Sequence, residues 1–179
     1  MVITIFGGSH PKEGEAEYEA ARDLGKKLAA AGFTVCNGGY AGIMEASSRG
    51  AKEAGGKTIG VTTEEFGSRA NRWIDEEIRV EKWKDRLFKL IELGDAYIVL
   101  DGGTGTLAEL FVVWEMSNKN FLSKPVIILG KTIQNLVKQI QKTPQTINNT
   151  HLYFSKIPEE AVQLIQQRLK EDEFGHRMA

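Results

Sequence analysis

Ala96-Tyr97-Ile98-Val99-Leu100, followed by Asp101-Gly102-Gly103-Thr104-Gly105-Thr106, is the stretch that decides the fold. An uncharged apolar run of that length reads as a strand buried on both faces, as strands of parallel sheets are. The glycines then allow a sharp turn, and from Thr104 the sequence reads as a helix to about Asn118. Strand, glycine turn and helix in that order make half of a parallel crossover unit.

The same unit recurs on both sides of this stretch. Upstream, Val2 to Phe6 is a short β-branched strand stopped by Gly7-Gly8. Tyr18, Ala21, Leu24 and Leu28 then give the segment from Glu13 to Ala31 one apolar helical face, closed by Gly32. Phe33 to Cys36, the loop Asn37-Gly38-Gly39-Tyr40-Ala41-Gly42 and a helix from Ile43 to Ala54 repeat the pattern, and Thr58 to Val61 is a third strand. The polar segment from Thr62 to Arg72 reads as a loop on the binding face, with a short strand near Ile78 to Val80 after it. Trp83, Leu87, Leu90 and Ile91 mark a helix between Glu81 and Gly94. Downstream come a strand from Pro125 to Leu129, a helix from Thr132 to Lys142, a strand at Leu152 to Phe154 and a helix from Pro158 to about Lys170. Such alternation predicts an α/β fold, a Rossmann-like doubly wound parallel sheet with helices on both faces. Residues 1–171 read as one domain and 172–179 as a flexible polar tail.

Composition narrows the partners. The 179 residues suffice for one core without a disulfide or structural metal. With 23 basic and 24 acidic residues the formal charge is -1, so no global field draws the chain to nucleic acid or to an anionic membrane. Arg69, Arg72 and Arg79 are interleaved with Asp75, Glu76 and Glu77, which reads as a mixed surface or lid. The single Cys36 lies in an apolar run and reads as a small buried residue of a reducing compartment. No run approaches the roughly 20 apolar residues of a membrane span, and no basic segment with a cleavage site precedes the first strand, so a cytoplasmic protein is expected. His10, His151 and His176 are not spaced as metal ligands, and no metal site is expected. Trp83, Phe111 and Trp114 stand at helical spacing and read as core.

In an open parallel sheet, ligands bind beyond the carboxyl ends of the strands, where every strand-to-helix loop lies. Three of those loops are glycine-rich: Gly7-Gly8-Ser9, Gly38 to Gly42, and Gly102 to Thr106. Glycines admit a ligand close to backbone N–H groups, and the helix that follows adds free donors and a partial positive charge, so phosphate is the natural guest. The third loop also carries two hydroxyls, more polar capacity than a cap needs. It matches neither the P-loop nor the Gly-x-Gly-x-x-Gly dinucleotide pattern, which disfavours NTPases and dehydrogenases. Arg86 and Glu109 belong to helices whose N-termini face the same edge and are candidates to converge on one bound molecule. Glu109 has a second reading, since Thr106-x-x-Glu109 has the spacing of a capping box; Arg86 has one too, a surface ion pair.

Together, Gly7-Gly8-Ser9, Gly38-Gly39-Tyr40-Ala41-Gly42-Ile43-Met44, Ile59-Gly60-Val61, Arg86 and Gly102-Gly103-Thr104-Gly105-Thr106-Leu107-Ala108-Glu109 resemble the Lonely Guy (LOG) family of cytokinin riboside monophosphate phosphoribohydrolases, often mislabelled lysine decarboxylases. The resemblance covers most of residues 1–129. It implies that Gly8, Ser9, Gly39, Gly42, Met44, Gly102, Gly103, Thr104, Gly105 and Thr106 bind the nucleotide, with its 5'-phosphate on the third loop. It further implies that Arg86 and Glu109 are the catalytic pair. The implied reaction is hydrolysis of the N-glycosidic bond of AMP or an N6-substituted AMP to free base and ribose 5-phosphate, by a homodimer or larger homo-oligomer, without cofactor. The helix around Phe111 to Trp114 is then a candidate association surface.

Three positions depart from the family pattern. Asp101 replaces a proline before the glycine pair, and its charge would repel a phosphate unless it points away or binds a cation. Trp83-Lys84-Asp85-Arg86-Leu87 keeps only the arginine of a methionine-histidine-x-arginine-lysine run, and Asn37 stands where a glycine begins the second loop. These departures support an alternative, a non-catalytic nucleotide sensor or a carrier resembling molybdenum-cofactor carriers. A pyridoxal-phosphate decarboxylase lacks support, since no lysine stands in an identifiable cofactor context.

Overall fold

The computed structural model describes residues 1–143 and 151–177. In chain order its elements are β1 (Val2–Phe6), α1 (Ala16–Ala30), β2 (Thr34–Asn37), α2 (Ile43–Glu53), β3 (Thr58–Thr63), a 3-10 turn (Glu64–Phe66), β4 (Glu76–Val80), α3 (Trp83–Leu93), β5 (Ala96–Val99), α4 (Thr104–Asn118), β6 (Val126–Ile128), α5 (Lys131–Ile140), β7 (Leu152–Phe154) and α6 (Pro158–Arg177). Every element expected from the sequence is present, with ends displaced by a few residues. The largest difference is α6, which carries helical backbone through 172–177, where a tail is expected. Lys170-Glu171-Asp172-Glu173-Phe174 contains no proline or glycine to stop it, and Arg168 pairs with Glu171 at 2.7 Å one turn along. Residues 178 and 179 lie outside the described residues.

All six strand pairings are parallel, and the strand order is β4-β3-β2-β1-β5-β6-β7. From β1 the chain steps outward to β4, then returns to β1's other side and steps outward to β7. The order therefore reverses between β1 and β5, and ligands of such sheets bind beyond the carboxyl edge at that point.

The sheet is covered on both faces, as its unbroken apolar strands require. On one face Tyr18, Ala21, Leu24 and Leu28 of α1, Ile43 and Ala46 of α2, and Ala161 and Ile165 of α6 pack on Ile3, Ile5 and Ile98. On the other, Leu87 and Leu90 of α3, Leu110 and Trp114 of α4, and Ile133 and Val137 of α5 pack on Phe6, Tyr97, Val99 and Ile128. Cys36 is fully buried within this second cluster, and burial pushes its thiol up to about 12, which makes it inert. Among the described residues no helix is long and apolar enough to cross a membrane.

Candidate active site at the strand-order reversal

Main-chain hydrogen bonds lace the three glycine loops together. Gly8 N–H donates to Asp101 O at 3.0 Å, and Ile43 N–H donates to Gly8 O at 2.9 Å. Such contact leaves no room for side chains. A Cβ on Gly102 would stand 2.7 Å from Gly8 N, and one on Gly42, whose φ is +67°, would stand 2.7 Å from Ser9 Cα.

These loops wall a cleft of about 460 Å³, within the range of small-ligand sites. Gly8, Ser9, Met44, Gly103, Thr104, Gly105, Thr106, Arg86 and Glu109, all singled out from the sequence, line it. Gly39, Gly42 and Gly102 do not; they shape the wall from behind. Tyr40, Phe66, Ser68, Trp83 and His10 also line the cleft and were not assigned to it from sequence. Trp83 is a correction: its helical spacing reads as core, yet it is the first residue of α3 and is 40% exposed, because the first turn overhangs the sheet edge. Phe111 is also corrected, being 38% exposed beside a buried Trp114.

Helix α4 turns its N-terminal end, with its free N–H donors, to the cleft. Its N-cap is Gly103, without a side-chain cap bond, so the N–H groups of Thr104, Gly105 and Thr106 occupy the first turn, where no intrahelical acceptor exists. They line the cleft at the positive end of the helix dipole. Thr106 sits inside the helix rather than at its N-cap, so Thr106 and Glu109 form no capping box. Glu109, one turn further on, faces the cleft.

Arg86 is the cation opposite. Only 6% exposed, it is fixed by Nε donating to Val61 O at 2.8 Å, with its guanidinium carbon 5.4 Å from the Tyr40 ring centre and 5.8 Å from that of Phe66. Tyr40 is itself held, its hydroxyl accepting from Thr63 N–H at 2.9 Å. Arg86 Nη1 lies 3.7 Å from Glu109 Oε1, near enough for electrostatic coupling but too far for a direct hydrogen bond. Burial pushes the Glu109 carboxyl up to about 7, against the downward pull of Arg86. The same burial lowers Arg86, which still stays cationic at neutral pH.

Gly38 explains how the guanidinium fits: a Cβ there would collide with Arg86 Nη2 and come within 2.7 Å of Met44 Sδ. Gly38→Ala is expected to displace Arg86 from its bond to Val61 O and leave the unfolding midpoint within a few degrees; a structure of the variant beside thermal scans checks this.

The sequence departures acquire physical reasons. Asp101 points away from the cleft, its Oδ1 accepting from Ile133 N–H at 3.0 Å in the first turn of α5, whose own N-cap Gly130 has no side chain to offer. Its charge thus serves a helix terminus instead of opposing a phosphate. Asp101→Ala is expected to cost about 1 kcal/mol of stability, measured by urea unfolding. Asn37, fully buried, donates to Met44 O, Ser47 Oγ and Ser48 Oγ at 2.8–3.2 Å and accepts from Gly39 N–H at 2.8 Å, fastening the second loop to α2.

Comparison with known proteins agrees with this architecture. A cytokinin riboside 5'-monophosphate phosphoribohydrolase of Rhodococcoides fascians is 31% identical over 132 residues, 72% of this chain and 67% of that protein. The protein of the same name from Mycobacterium tuberculosis is 32% identical over 130 residues, 71% of this chain and 69% of its own. Among solved structures, the molybdenum cofactor binding protein of the phototrophic bacterium Rippkaea orientalis superposes with a TM-score of 0.77 at 26% identity, covering 94% of this chain and 96% of its own. The molybdenum cofactor carrier protein of Chlamydomonas reinhardtii shares the fold, with a TM-score of 0.72 at 23% identity over 94% of this chain and 98% of its own. The SLOG cluster4 family model matches residues 1–162, nearly all of the sheet and its helices, and the chain belongs to that family.

Proposed function

We propose that the protein is a phosphoribohydrolase that cleaves the N-glycosidic bond of a nucleoside 5'-monophosphate, AMP or an N6-substituted AMP. The observation that carries this reading is a partly buried carboxylate and a buried guanidinium 3.7 Å apart, one turn from a helix N-terminus suited to an anion in the same cleft. The first-turn N–H groups of α4 hold the 5'-phosphate, which sets the ribose beside Glu109. The bond between the anomeric carbon and the base nitrogen breaks with its electron pair going to the base, leaving positive charge on the sugar. Ionised Glu109 stabilises that charge, orients a water toward the anomeric carbon and accepts its proton as the new C–O bond forms. Arg86 holds a ribose hydroxyl or the departing base and keeps Glu109 partly ionised at neutral pH. The base leaves with a proton, and ribose 5-phosphate remains. These steps call on no metal or redox group.

A second reading, supported by the likeness to the Rippkaea orientalis protein, is a carrier whose glycine loop grips the phosphate of a larger cofactor without chemistry. Incubation with a panel of nucleoside monophosphates, followed by chromatography for free base, separates the two. Release of base abolished by Glu109→Ala supports the hydrolase; tight binding with no base released, unchanged by that substitution, refutes it. A homodimer or larger assembly is part of the proposal, and Phe111 on the outer side of α4 is the residue its interface would cover.

A further inference from the structure

Phe66 and Trp83 are 51% and 40% exposed, and both line the same cleft as the polar turn of α4. An aromatic wall beside a phosphate cradle is not what packing alone produces, because neither ring is covered by the core. The main-chain segments that carry them are also joined. Glu65 Oε2 accepts from Trp83 N–H at 2.7 Å, tying the 3-10 turn that carries Phe66 to the first residue of α3. Phe66 in addition leans on Tyr40, ring centres 5.6 Å apart. Arg86 follows Trp83 by one helical turn, so the two side chains share one side of α3, the arginine deep and the tryptophan at the rim.

Contacts link the cleft's lining in series: Thr104 to Thr106 open the helix that carries Glu109, Glu109 lies 3.7 Å from Arg86, Arg86 lies 5.8 Å from the Phe66 ring centre, and Glu65 beside Phe66 bonds the main chain of Trp83. A nucleotide has its phosphate, its glycosidic carbon and its flat base in that same order. The geometry points to Phe66 and Trp83 as the stacking subsite for the planar heteroaromatic base, with Glu65 as the residue that positions it. This assignment rests on the nucleotide reading given above and adds to it the part of the cleft that recognises the base. Stacking on aromatic side chains tolerates many bases, since each offers a π-face, so the subsite selects for a flat ring and leaves fine discrimination to other contacts.

Calorimetric affinities for AMP and for ribose 5-phosphate test it, measured in a Glu109→Gln background so that AMP is not consumed. Trp83→Ala and Phe66→Ala are each expected to weaken AMP about 10-fold while leaving ribose 5-phosphate unchanged, and Trp83→Phe is expected to retain most of the AMP affinity. Glu65→Ala should weaken AMP selectively, and Glu65→Gln, which keeps an accepting oxygen, should restore it. Unchanged ribose 5-phosphate binding also reports that each variant is folded. Equal losses for both ligands, or no loss for AMP, would overturn the base subsite and leave the phosphate cradle standing. Failure of the background protein to bind either ligand would overturn the nucleotide reading together with this one.

Discussion

Under the proposed hydrolysis, Glu109→Gln is expected to slow base release by about 10²- to 10⁴-fold while changing nucleotide affinity only a few-fold. The amide keeps the shape of the side chain but can neither take a proton from water nor balance the charge on the ribose. In the parent protein, kcat/KM should rise with pH along a limb centred near 7, because burial has moved the Glu109 carboxyl there and the ionised form acts. That limb should vanish in the variant. Stability should respond in the opposite sense. A carboxyl raised from its usual 4.5 to about 7 in the folded state contributes stability that is complete below 4.5 and is lost as the pH rises through 7. Above pH 8 the parent therefore carries a penalty on the order of 3 kcal/mol that Glu109→Gln removes. Thermal unfolding at pH 5 and pH 8.5 measures it: the variant should gain several degrees over the parent at the higher pH and little at the lower. A parent rate that is flat between pH 5.5 and 8.5 would count against ionised Glu109 as the working group.

Arg86→Ala should lower the rate at pH 7 by at least about 10²-fold, through two separable effects. One is direct loss of the guanidinium facing the substrate. The other acts through Glu109, which loses the cation 3.7 Å away and shifts further upward, so that less of it is ionised at neutral pH. The second effect predicts partial recovery: activity relative to the parent should improve between pH 7 and pH 9, with the ascending limb displaced above 7. A Lys in place of Arg86 should not restore the parent rate, because it lacks the fork that bonds Val61 O while facing Glu109. If the limb of Arg86→Ala stays where the parent's lies, the two groups are not coupled as their separation implies.

Much of this was legible in the sequence for a simple reason. Parallel strands are buried on both faces, so Ala96 to Val99 and Val2 to Phe6 announce themselves as apolar runs, and the turns between them and their helices need glycine. Arg86 and Glu109 could be placed on the ligand edge because both fall early in helices that begin there. Less legible were residues whose role depends on contacts distant along the chain. Trp83 has the spacing of a core residue, and only the overhang of the first turn of α3 turns it toward the cleft. Phe66 sits in an irregular segment with no period to read, and Tyr40 joins the site through Thr63 on the neighbouring strand. Asp101 raised an apparent conflict with phosphate that local sequence could not resolve, because its hydrogen-bond partner is Ile133, at the start of another helix. The Thr106-x-x-Glu109 spacing offered a capping box as a second reading, which Gly103 at the N-cap leaves unused.

The lacing of the loops by peptide groups has an evolutionary corollary. Because Gly8, Asp101 and Ile43 meet through main-chain N–H and C=O atoms, the cradle is inherited with the course of the backbone rather than with any particular side chain. Mutations at rim positions such as Phe66 or Trp83 can then retune which molecule is accepted without dismantling the platform beneath. A scaffold of that kind lets descendants exchange ligands, or gain and lose chemistry, by a handful of surface changes.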